Sequence, residues 1–372
     1  MSISMPDPVT AAQAEAATIQ SNPHQFLDGP VDRVLLDAPF IDRDSLLAGL
    51  EEFHTERMAK IPSATEYPES VAWVEYVLNR DKELQALTGI TDAQMAAYRS
   101  LGDYMTFRGN LHARPVVSEK CRIIYLPETD RGEFHIKNVD DPITFWKPMT
   151  DTPKAPAVTG LNWDGVGSGL HMDDEPDEIF PLPYREMTWA NCDDVPGAVQ
   201  FLTRFSKFWG GQNIVLYDAH KRNVAIEKSS RNFIEVFQPG ANGGSHCSGM
   251  ACRNLDSPQG RYQTAIRLKY LNAFNQPLAG PDMTFWKACD RAETMLGDLM
   301  KKPQLTVDEI FNLFTTPWPE GLSKTGAKLH PDQSMGEYTL VTLAELYDEK
   351  KYYRWQRDEV GNPAAEPTVY EY

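Results

Sequence analysis

Apolar residues recur at helical spacing over the first third of the chain and at strand spacing beyond it. From Asp44 onward, Leu46, Leu47, Leu50, Phe53 and Met58 fall at helix spacing behind an Asp/Ser cap. A second helix is predicted over residues 69–87, and Gly89 breaks it. Thr91 and Gln94 make a reciprocal cap for a third helix through Met95, Tyr98 and Leu101. Residues 1–30 are rich in Ala, Pro and Gln and read as a flexible leader. Residues 31–120 are then a helical N-terminal segment.

At Cys121 the pattern changes to strands. Residues 121–128 form a strand-like run, 129–133 a charged turn and 134–140 a returning strand. Residues 214–218 and 223–227 read as a second hairpin about a polar turn, and 232–237 as a third strand beside it. Helices are predicted around 262–274 and 281–300. Thr306 and Glu309 make a second reciprocal cap, before Ile310, Leu313 and Phe314. The strands 338–347 and 352–355 close the chain about a charged turn, and the Gly/Pro/acidic stretch 160–185 reads as a long surface loop. Helices, a strand block, helices and a final hairpin predict an α+β domain of sheets covered by segregated helices.

Composition narrows the function. At 41% hydrophobic and 24% charged residues, the 372-residue chain has globular values and is long enough for a substantial core. A net charge of −17 argues against nucleic-acid binding, which needs clustered Lys and Arg. No apolar stretch approaches a membrane span, and residues 1–20 lack the basic and apolar regions of a signal peptide. Five cysteines in so long a chain do not suggest a disulfide framework, so a reducing, cytoplasmic setting is expected.

The candidate chemistry centres on Cys121. A cysteine opening a hairpin, with Lys137, Asn138 and Asp140 on the returning strand, suits a chain that cleaves itself between Lys120 and Cys121. A thiol is mostly protonated near neutrality, whereas a freed α-amino group has suitable strength to take its proton. The competing reading is a buried structural cysteine on a strand. His246, Cys247 and Cys252 invite a zinc reading, but the Cys-x4-Cys spacing lacks a second pair. The acidic run 173–178 lacks the spacing and turn glycine of a calcium loop. The Gly-rich patch 240–249 fits no phosphate-binding pattern, and Trp73, Trp146, Trp163, Trp189 and Phe208 read mostly as core.

In order, these blocks resemble the N-terminal-nucleophile hydrolases, in the branch of penicillin acyltransferases, choloylglycine hydrolases and linear amide hydrolases. Residues 84–94 resemble the pro-segment and 121–140 the nucleophile hairpin, with Lys137-Asn138-Val139-Asp140 standing for an Arg-Asn-x-Asp ending. Residues 211–219 with 224–227 resemble the central hairpin, and 338–355 the closing strands. The resemblance implies a four-layer αββα sandwich over residues 121–372, with Cys121 as nucleophile. It implies that Asp140 binds the freed α-amino group, that Lys137 takes the place of an arginine, and that Arg261 flanks the thiolate. Ser245 falls where an oxyanion-hole Asn is expected, with Asn242 and His246 beside it. A second expected Asn, before Gly169-Leu170, falls on Val166, with Asn162 upstream. Lys120 and Arg122 stand where the family has small residues.

The implied function is an autoprocessed cysteine amidohydrolase or acyltransferase, acting on a small-molecule linear amide or thioester. It implies no metal or organic cofactor, with acyl-CoA open as a co-substrate. Processing implies an α/β heterodimer, with homo-oligomerisation left open. The alternative is a catalytically weakened member kept as a ligand-binding or scaffold protein.

Overall fold

The structure, a computed structural model, describes residues 4–37, 41–60, 68–107, 121–142, 161–167, 188–204, 212–228, 234–248, 253–254, 256, 261, 285–317, 320–323, 337–356, 364 and 366–372. The chain divides into two compact units. The first comprises Met1–Val116 with Thr144–Thr150 and Asp174–Asn191; the second comprises Val117–Ile143, Asp151–Asp173 and Cys192–Tyr372.

Helices make up the first unit: α1 (Pro8–Ser21), α2 (Pro23–Phe26), α3 (Asp28–Asp37), α4 (Arg43–Lys60), α5 (Pro68–Thr88) and α6 (Asp92–Phe107). The flexible leader is corrected here. Asp7 accepts from the Thr10 amide to start α1 with Pro8 in its first turn, where a missing N–H does no harm. Its Ala12, Ala16 and Ile19 are buried with Leu27, Leu84, Ile90 and Met95. Their i, i+4, i+7 spacing makes a narrow stripe of small residues, easily read as low complexity. Gly89 ends α5 with φ +68°, a conformation that side chains with a Cβ rarely adopt. Thr91 and Gln94 make the reciprocal cap, with bonds of 3.1 and 3.2 Å.

Among its described residues the second unit carries ten strands: β1 (Arg122–Leu126), β2 (Phe134–Pro142), β3 (Leu161–Gly167), β4 (Gln212–Asp218), β5 (Asn223–Lys228), β6 (Ile234–Phe237), β7 (Ser245–Ser248), β8 (Glu337–Leu346), β9 (Lys351–Gln356) and β10 (Thr368–Glu371). The helices described in it are α7 (Val195–Arg204), α8 (Phe285–Lys301) and α9 (Val307–Thr315). One antiparallel sheet has the order β10-β9-β8-β2-β1-β7 and the other β3-β4-β5-β6.

Alternation along β1 builds the layers. Ile124 and Leu126, with Phe134, Ile136, Ala344 and Trp355, pack against Leu296 of α8 and Ile310 and Phe314 of α9. Ile123 and Tyr125 point the other way, onto Val215 and Tyr217 of β4. On the second sheet, β4 packs against α7, whose Val195, Ala198 and Leu202 are buried. The order is helix, sheet, sheet, helix, so the unit is α+β with four layers. Of the predicted surface loop 160–185, residues 161–167 are instead edge strand β3, paired along its length with β4. Two glycines and two polar residues in seven masked its strand pattern. The predicted helix 262–274 lies outside the described residues.

Candidate functional site

Cys121 sits immediately before β1 and is only 8% exposed. It shares the inter-sheet layer with Ile123, Tyr125, Val215, Tyr217 and Cys247, and Val139 and Tyr347 pack against the same cluster. Tyr125 stacks on Tyr217 at 4.2 Å between centroids. Cys121, Cys192 and Cys247 are buried and not joined in disulfides. Burial, with Asp193 and Asp194 adding to it, pushes the Cys192 thiol up to about 11. Enclosure therefore does not by itself activate the Cys192 thiol.

The β1–β2 register pairs Arg122 with Asn138 and Ile123 with Lys137. Continued one residue further, it sets Cys121 opposite Val139, next in the chain to Asp140. Lys137 shares the inter-sheet side of β2 with Val139, and is half-buried. Asn138 and Asp140 lie on the helix-facing side, with Arg122. Asp140 is fully buried, forms an ion pair with Arg122 and accepts from Thr339 Oγ1 at 2.6 Å. A bulge in the β2–β8 pairing between Val139 and Asp140 brings Thr339 opposite Asp140. A carboxylate so enclosed needs a partner charge, and Arg122 provides it. Asn138 donates at 3.1 and 3.2 Å to the carbonyls of Phe314 and Leu322, and accepts from Thr342 at 2.7 Å.

The expected oxyanion residues divide between the two faces of β7. Ser245 pairs across the sheet with Tyr125 and donates to Asn223 Oδ1 at 2.5 Å. His246 pairs with Ile124 and turns toward α8, where its Nε2 lies 2.9 Å from Glu293 Oε1. Glu293 also accepts from Ser248 at 2.5 Å and forms an ion pair with Arg253 at 3.1 Å. Burial drives the His246 imidazole below its ordinary value, against the pull of Glu293. Burial opposes the charge on Glu293 too, but His246, Arg253 and Ser248 together hold its carboxyl below the usual range. Asn242 accepts from the Gly244 amide at 3.0 Å and donates to the Leu299 carbonyl at 3.1 Å, which ties its amide to a turn and a helix end.

Asn162 lies in β3 opposite Tyr217, a member of the Cys121 cluster, and Val166 lies further along that strand. Arg261 is exposed. Lys120, Gly169-Leu170, the acidic run 173–178, Trp146, Phe208 and Cys252 lie outside the described residues. Among the described residues, no three or more His, Cys, Asp or Glu side chains are grouped to hold a metal ion. No helix among them is long and apolar enough to cross a membrane.

No family model and no curated protein matches the chain. Among solved structures it is similar to the conjugated bile acid hydrolase of Clostridium perfringens in two mutant forms. Both likenesses have 13% identity and cover 68% of this chain and 89% of the other, with TM-scores of 0.32 and 0.30. A likeness at that level says nothing of activity.

Sequence reasoning missed Arg122 and Thr339 as the partners of Asp140, and Glu293 as the partner of His246. A signal for the first was present. Arg122 alternates with Ile124 and Leu126, and a cation on an apolar strand face must find a buried anion. Thr339 and Glu293 carry no such mark, because only the pairing of β2 with β8 and the docking of α8 select them.

Proposed function

We propose that this protein is an autoprocessed cysteine amidohydrolase or acyltransferase of the N-terminal-nucleophile type, with Cys121 as nucleophile. The observation that supports it most is the position of Cys121. It stands immediately before β1, an interior strand of its sheet, between two antiparallel sheets, with Asp140 adjoining its cross-strand position. In the self-cleavage step, Sγ of Cys121 attacks the Lys120 carbonyl carbon. The C–N bond breaks and the thiol proton passes to the departing nitrogen, which becomes the α-amino group. Water then hydrolyses the thioester, leaving a carboxylate on Lys120 and a free thiol on Cys121. In turnover the α-amino group takes the thiol proton as Sγ attacks a substrate amide or thioester, then returns it to the leaving group. Water or an amine accepts the acyl group from the Cys121 thioester.

On this reading Asp140 holds the α-amino group, Lys137 supplies positive charge on the inter-sheet side, and Ser245 faces the same layer. The substrate is a small acyl amide or thioester, acyl-CoA being one donor of suitable chemistry, and no metal takes part. The proposed location is cytoplasmic and reducing, where a thiol nucleophile persists. A non-catalytic ligand-binding role is the second reading. It is favoured by the commitment of the Asn242 amide to backbone groups.

Intact-mass analysis separates the two. The first reading expects fragments divided between Lys120 and Cys121 in the wild type, a single chain for Cys121→Ala, and iodoacetamide labelling at Cys121. An uncut wild type whose Cys121 resists labelling would sink it.

A further inference from the structure

We infer that Arg122 and Thr339 are the positioning residues of Asp140, holding its carboxylate ionised and oriented at the start of β1 before the chain is cut. This rests on the reading of Cys121 given above. An arginine directly after the nucleophile looks like an obstruction, since it is bulky and charged beside the bond to be broken. The fold removes the obstruction. Strand alternation sends Arg122 to the helix-facing side of the sheet while Cys121 faces the inter-sheet layer with Ile123 and Tyr125. The guanidinium is 1% exposed and pairs with Asp140, which is 0% exposed. Thr339, also fully buried, donates its hydroxyl proton to Oδ1 at 2.6 Å, while Arg122 binds Oδ2.

Among the described residues each carboxylate oxygen therefore has one donor from a different strand, β1 or β8, and retains a second lone pair. That arrangement fixes the plane of the carboxylate. It also leaves acceptor capacity for an amine released one residue away across the pair. In the uncut chain the Cys121 nitrogen is an amide and brings no charge, so without Arg122 the buried Asp140 would lack this counter-ion. Arg122 thus stabilises in the precursor the ionised carboxylate that the new α-amino group needs.

The test measures self-cleavage of full-length chains by intact mass over time, with circular dichroism and melting temperature recorded for each variant. Arg122→Gln and Thr339→Val are expected to cut roughly ten-fold or more slowly than wild type, since each removes a hydrogen bond to a charged group. Arg122→Lys and Thr339→Ser, which restore charge and hydroxyl, should recover most of the rate. Lost cleavage in a variant that keeps its fold, with recovery by its conservative counterpart, is not explained by a merely structural pair. If Arg122→Gln does not fold, Thr339→Val, which leaves the ion pair intact, carries the test. Folded Arg122→Gln or Thr339→Val chains that cut at the wild-type rate would overturn the inference and leave the role of Cys121 standing. A wild type that neither cuts nor labels at Cys121 overturns both.

Discussion

Several buried polar side chains in the second unit join layers that apolar contact alone would leave free to slide. Asn138 is the clearest. One amide reaches the Phe314 carbonyl at the end of α9, the Leu322 carbonyl beyond it and the Thr342 hydroxyl of β8. Asn138→Leu would leave two buried carbonyls and a hydroxyl without that partner. It should lower unfolding stability by about 3 kcal/mol, read as a lower urea midpoint at unchanged slope. Sequence showed Asn138 as part of a Lys-Asn-Val-Asp run, and structure separates its members. Lys137 and Val139 belong to one face, Asn138 and Asp140 to the other. A period of two makes that division legible in principle, but which face meets helices and which meets the second sheet depends on packing.

Hairpins are the elements that sequence describes best here, because turn residues and alternation are local. The β1–β2, β4–β5 and β8–β9 hairpins all lie close to where their patterns place them. Their joining is not local. The turn after β1 is tied to the turn after β8 by Arg131, which donates to Glu349 at 2.7 and 2.8 Å and to the Tyr353 hydroxyl at 3.0 Å. The hydrogen bond from Arg131 leads the causes that hold the Glu349 carboxyl down to about 2. Its folded value lies below the unfolded value of about 4.3, so the pair contributes fully above that pH. The contribution is lost as pH falls toward 2. Glu349→Gln should therefore melt below wild type at pH 6, by no more than about 1 kcal/mol for so accessible a pair. The gap should close between pH 4 and 2 in thermal melts. Strands β3 and β7 show the opposite case. A Gly-rich seven-residue edge strand and a four-residue Ser-His-Cys-Ser strand have too little local pattern to announce themselves, and are strands because β4 and β1 offer them partners.

In the whole molecule, two cores of different kinds are built from one chain. In the helical unit, Ile19 is 1% exposed among Leu84, Ile90 and Met95, so residues near the N-terminus are structural. Ile19→Ala should cost about 3 kcal/mol through lost burial and the cavity left behind. A calorimetric transition unchanged from wild type would contradict that packing. That unit also encloses Arg80 and Arg99, with Arg80 pairing with Asp81 at 3.0 Å, and Arg99 donating to Asp81 at 2.6 Å and pairing with Glu15 at 2.8 Å. By itself the sequence determined the helical first part, the change to strands at Cys121, the hairpins, both reciprocal caps and the candidate nucleophile. These follow from periodicity, turn chemistry and residue type, which act over a few residues. Tertiary structure alone decided that residues 8–26 form helices packed by small residues, and that Arg122 takes the carboxylate of Asp140. It also decided that Cys121 and Cys247 face the second sheet. Those outcomes depend on which apolar face meets which partner, and on the need to neutralise charge once water is excluded. Both are settled only when distant parts of the chain come together.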